Sequence, residues 1–136
     1  MSPTETAPGS GAALWTGRVM SAVVILFMIF DAAIKLIPIQ PVIDTMAQLG
    51  YPGTAALARG IGIVEVVCIV LYAWPRTSVL GAILLTGLFG GAIATHLRIG
   101  SPVFTHLLFG LYLGLLAWGG LYLRDPRVRA MIPFRI

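Results

Sequence analysis

Seven side chains stand out in a chain of which only 10% of residues are charged: Asp31, Lys35, Arg59, Glu65, His96, Arg98 and His106. Asp31 and Lys35 are four apart, so on a helix they share a face and can pair. Glu65 lies in the middle of IGIVEVVCIV, where a carboxylate cannot easily reach water. It needs a proton or a partner, and Arg59, Lys35 and the histidines are the candidates. His96 and His106 bracket the polar stretch ATHLRIGSPVFTH. A glutamate and a histidine in one site could exchange a proton with a bound molecule, because such transfer needs groups that titrate near the working pH. Histidines and carboxylates are also metal-ligand types, but these come from four separate segments without diagnostic spacing, so no metal is expected. The single cysteine, Cys68, excludes an internal disulfide and a dithiol redox pair. No serine elbow, phosphate-cradling glycine loop or haem-attachment motif is present, and nothing supports nucleic-acid binding.

The elements that must position these groups are membrane helices. The sequence is 58% hydrophobic with a mean hydropathy of +0.95, whereas a soluble domain carries about a quarter charged residues. A spanning helix needs about 20 apolar residues, and four stretches qualify: Val19 to Ile39, Thr54 to Trp74, Val79 to Leu97 and Phe104 to Leu123. Backbone amides in lipid must be satisfied internally, so the expected fold is all-α, a transmembrane four-helix bundle. Thr54 is expected to cap the second span and Thr77 or Ser78 the third. Ser101-Pro102 supplies a cap and a first-turn proline for the fourth. Between the first two spans, PVIDTMAQLGYP reads as a short interfacial helix. Residues 1–16, rich in Pro, Gly, Ser and Thr, read as a disordered cytoplasmic tail. Residues 17–123 form the membrane domain, and residues 124–136 a cytoplasmic amphipathic tail opened by an Asp125 cap.

Basic residues set the expected orientation. An even number of spans places both termini on one side, with Arg18, Arg76, Arg124, Arg127, Arg129 and Arg135. The other side holds Lys35, Arg59 and Arg98. The positive-inside rule then makes both termini cytoplasmic and gives a multi-pass protein of the bacterial cytoplasmic membrane. The remaining ionisable groups gather in the outer half, with Glu65 six residues, about 9 Å, below Arg59. The bland alternatives are an Asp31–Lys35 structural pair, arginines that snorkel to headgroups, and interfacial histidines. Gly87-x-x-x-Gly91 and Gly110-x-x-x-Gly114 each put two glycines on one helix face, for packing within the bundle or in a homo-oligomer.

Residues 60–102, GIGIVEVVCIVLYAWPRTSVLGAILLTGLFGGAIATHLRIGSP, resemble the DoxX-like group of small four-helix membrane proteins. The matching features are Glu65, the Pro75-Arg76-Thr77 turn, Leu80 to Gly87, and GGAIATHLR ending at Arg98. Leu49–Pro52 and Leu123–Pro126 also fit, and the likeness spans roughly residues 18–133. It implies a four-helix bundle with Glu65 and His96 in its pocket. Relatives are associated with thiosulfate:quinone oxidoreductase and oxidative-stress complexes, and distant animal relatives with receptor assembly. The EXPERA sterol-isomerase and sigma-2-receptor group has a similar architecture, in which acidic residues inside the bundle meet an amphiphile. With one cysteine and no sulfur-handling partner, thiosulfate chemistry is not carried over.

The resulting expectation is a binding or redox-accessory module that holds a quinone or another isoprenoid lipid in a pocket open to the outer leaflet. Glu65, His96, Asp31, Lys35, Arg59 and His106 would meet the polar head, and Phe89 and Tyr112 would supply apolar wall. The competing reading is a non-enzymatic assembly factor whose polar cluster is structural and whose glycine faces meet a partner membrane protein. A lipid isomerase would share the pocket and require turnover.

Overall fold

The computed structural model describes residues 11–132. Among them every regular element is helical: α1 Gly11–Leu36, α2 Gln40–Gln48, α3 Ala55–Ala73, α4 Ser78–Ile99, a π-helical turn Val103–Leu107, α5 Phe109–Arg124 and α6 Pro126–Met131. The helices α1, α3 and α4, and the π turn together with α5, are each long and apolar enough to cross a membrane, with mean hydropathies of 2.2, 2.0, 1.8 and 1.5. Helix α1 begins at Gly11, inside the segment expected to be tail. Ala12, Ala13 and Leu14 are strong helix formers, which explains the earlier start. Residues 1–10 of that expected tail, and Arg135, lie outside the described residues.

The spans close into a ring. α1 packs on α3, α3 on α4, α4 on α5, and α5 back on α1. Lipid gives helices no hydrophobic reason to associate, so close backbone approach decides the contacts. At the α1–α5 crossing, a side chain on Gly120 would meet Gly17 O at 2.8 Å and Ser21 Oγ at 2.5 Å. At the α3–α4 hairpin, a Cβ on Gly81 would lie 2.2 Å from the Tyr72 backbone nitrogen. The Gly110 face packs inside the bundle, against Phe89 O. The Gly87 and Gly91 positions meet nothing within 4 Å. Gly81→Ala should therefore cost about 1–3 kcal/mol through overpacking. Gly87→Ala should be neutral or stabilising by up to about 1 kcal/mol, because only helix propensity changes. Thermal unfolding in detergent separates the two, and an unaffected Gly81→Ala would contradict the close approach.

A buried polar chain ties three spans near the chain-terminal end. Tyr72, fully buried, donates to Ala117 O at 2.6 Å and so accepts from Ser21 Oγ at 2.9 Å. Ser21 in turn accepts from Arg124 Nε at 3.0 Å, and the guanidinium lies 5.6 Å from the Tyr72 ring centre. Thr54 caps α3 by accepting from Leu57 N. Thr77 and Ser78 do not cap α4 as expected. Their hydroxyls donate instead to Leu71 O (2.7 Å) and Tyr72 O (2.8 Å), because the last carbonyls of α3 lack helical partners.

The C-terminal helix docks on the bundle through the fully buried Val128. Asp125 caps it by accepting from Arg127 N at 2.9 Å, and Arg127 Nη2 donates to Pro75 O at 2.8 Å. The Arg127 guanidinium beside Asp125 holds its carboxyl below the usual carboxylate range. The folded value lies below the unfolded one, so this contribution is complete above the ordinary carboxylate pKa and fades as pH falls through the folded value. Proteolysis after Arg127 should rise at acidic pH and in Asp125→Asn at neutral pH; equal protection in the variant would refute the cap's role.

Candidate functional site

The end of the bundle opposite Arg124 and α6 contains a cavity of about 790 Å³. All four spans reach it, and α2 lies along it through Pro41, Val42, Thr45 and Met46. Val42, Thr45 and Met46 of α2, with its C-cap Leu49, follow the i, i+3, i+4, i+7 pattern of one helical face. Phe27 and Phe109 meet edge-on, 5.1 Å between ring centres, as part of the apolar wall. On α4 the lining residues Gly87, Gly91 and Thr95 recur every four positions. The glycine row expected to pack a helix thus borders open space.

Lys35 organises one polar wall. Its Nζ donates to Asp31 Oδ2 at 2.6 Å and, across to α3, to Glu65 Oε1 at 2.5 Å. One ammonium therefore serves two carboxylates. Of the partners considered for Glu65, Lys35 is the one it has. Glu65 is 2% exposed, and its second oxygen, Oε2, is buried without a hydrogen-bond partner. Buried polar atoms are satisfied in the great majority of cases, so an orphan carboxylate oxygen on a residue that lines a cavity requires an explanation.

His96 and His106 form a second polar wall, ring centres 5.9 Å apart and edge-on. Helix α4 ends at Gly100, which adopts the left-handed conformation at φ 70° that glycine accepts without strain. That turn sets Ser101 Oγ 2.8 Å from His96 Nδ1, so Ser101 is engaged by the imidazole and does not cap the fourth span as expected. The fourth span opens with the π turn, which carries His106 and sets its Nδ1 2.7 Å from Thr105 Oγ1. Neither histidine bonds to Glu65 among the described residues. No third ligand-type side chain joins the two histidines there.

Six of the eight residues singled out from the sequence line the cavity: Asp31, Lys35, Glu65, Phe89, His96 and His106. Arg59 and Tyr112 do not. Arg59 Nε bonds Leu36 O at 3.3 Å, tying α3 to the end of α1, and Tyr112 donates to Phe104 O at 2.9 Å, bracing the π turn. Arg98, expected to snorkel, donates to Leu49 O at 2.8 Å, and Tyr51 Oη lies 2.9 Å from Thr95 Oγ1. Both bonds tie the chain after α2 to α4. The α2 contribution and Tyr51 were missed in the sequence; the apolar stripe from Val42 to Leu49 was the available signal.

A family model described as the DoxX-like family matches residues 19–120. Comparison with curated proteins and with solved structures gives no match.

Proposed function

We propose that this chain, which belongs to the DoxX-like family, is a membrane-embedded module holding a lipid-like small molecule in the cavity between its four spans. The carrying observation is that Glu65, whose Oε2 is buried without a hydrogen-bond partner, is among the residues lining an otherwise largely apolar cavity. An amphiphile satisfies both features: its tail covers the Phe27, Phe89 and Phe109 surfaces, and its head meets Glu65. The volume of about 790 Å³ falls in the range of small-molecule sites. A quinone or another isoprenoid lipid is the ligand class this reading favours.

The orientation in this reading follows the basic residues. Arg18, Arg76, Arg124, Arg127 and Arg129 sit at the end opposite the cavity, which the positive-inside rule assigns to the cytoplasm. The cavity then belongs to the outer leaflet of a bacterial cytoplasmic membrane. Any redox accessory role would use the head-group contacts; proton transfer through Glu65 would involve Lys35, its partner, and through it Asp31. In nanodiscs titrated with a short-tailed quinol, Glu65→Gln is expected to weaken binding by about tenfold, the scale of a hydrogen bond to a charged group. Equal affinity in both proteins would remove Glu65 from the site.

A further inference from the structure

We infer that the head group selected by this cavity is a hydroxyl, recognised by Glu65 and Lys35 together; this rests on the ligand-binding reading above. Glu65 Oε2 is buried and can only accept a hydrogen bond if the carboxylate is charged, as its ion pair with Lys35 implies. The ammonium of Lys35 has three N–H donors, of which Asp31 and Glu65 take two. One acceptor and one donor thus remain uncommitted, on two bonded residues that both line the cavity. An alcohol or phenol oxygen matches both, since it donates its proton to Oε2 and accepts from Nζ. An ether or a quinone carbonyl can only accept, which leaves Oε2 orphaned. A carboxylate head also only accepts, and it adds a third negative group beside a single ammonium, a like-charge contact inside a low-dielectric wall. Discrimination of this kind is large, because a site built for a donor pays for its own unpaired group when the donor is missing. Applied to an isoprenoid quinone, the same logic selects the reduced, hydroxyl-bearing form.

Three probes with one tail separate the contributions: a long-chain alcohol, its methyl ether and the corresponding fatty acid. Native mass spectrometry of the full chain in nanodiscs reads the bound fraction of each. The wild-type protein is expected to favour the alcohol over both others by about tenfold or more. Glu65→Gln, which places an amide donor on the same frame, should bring the alcohol-to-ether ratio below about threefold, since an ether can accept from that amide. Gly91→Leu should reduce all three together. Ether binding equal to alcohol in the wild type would overturn hydroxyl selection while leaving the cavity's ligand role intact. Binding of none of the three would overturn both.

Discussion

Replacing Lys35 with methionine is expected to destabilise the protein by about 3 kcal/mol, the low end of the cost of removing one partner of a buried ion pair, because Glu65 is buried while Lys35 and Asp31 are 21% and 27% exposed. Lys35 serves Asp31 and Glu65 at once, so its loss leaves two carboxylates on one wall without a counter-charge. The variant should appear as reduced membrane accumulation and a lowered unfolding temperature in detergent. Converting Glu65 to glutamine in the same chain should restore much of the loss, because one of the two stranded charges is then absent. A double-mutant cycle measures this coupling, which is expected to lie between about 0.5 and 3 kcal/mol. Additive effects of the two substitutions would contradict the shared ammonium.

Gly91→Leu carries the second large effect, on binding. A side chain at Gly91 meets nothing within 4 Å, and its helical neighbours Gly87 and Thr95 line the cavity with it. Leucine there fills ligand space without displacing backbone. The expected result is loss of bound amphiphile by tenfold or more, with unfolding temperature unchanged or raised, since leucine is the better helix former. The contrast with Gly81→Ala matters. One glycine is required by a neighbouring backbone, the other by an open volume. Loss of stability in Gly91→Leu would mean that this face packs a helix after all.

Much of this architecture is legible in the residues. The four apolar runs give the spans, because length and hydropathy suffice when lipid forbids unsatisfied backbone. The pairing of Asp31 with Lys35 follows from helical spacing, and Glu65 announces by its apolar surroundings that it needs a partner. The choice of Lys35 over Arg59 or a histidine is tertiary information: it depends on α1 packing against α3, and periodicity assigns a face to each helix but no neighbour. The same limit misplaced Arg59 and Tyr112, which share an end of the bundle with the cavity but bond the backbone instead. The π turn is harder still. Its register is set by His106 N and Leu107 N both reaching Pro102 O, a shared carbonyl that no residue pattern announces. That turn is what carries His106 to His96 and opens a second polar wall separate from Glu65. The glycines at 87 and 91 pack nothing within the bundle, and the motif alone does not tell such a face from one that meets a second copy or leaves room.

Whether the cavity holds a ligand is read most directly from what the protein carries out of its membrane. The full-length protein is extracted gently from its native membrane and its organic extract is analysed by mass spectrometry, with Gly91→Leu and Glu65→Gln prepared in parallel. The expected result is one near-stoichiometric isoprenoid or other lipid-like molecule in the wild type, depleted in both variants although both remain folded. Bulk phospholipid alone, in equal amounts from all three proteins, would contradict it. That outcome would leave the polar wall around Lys35 with a structural role, as in an assembly factor or a subunit of a larger complex.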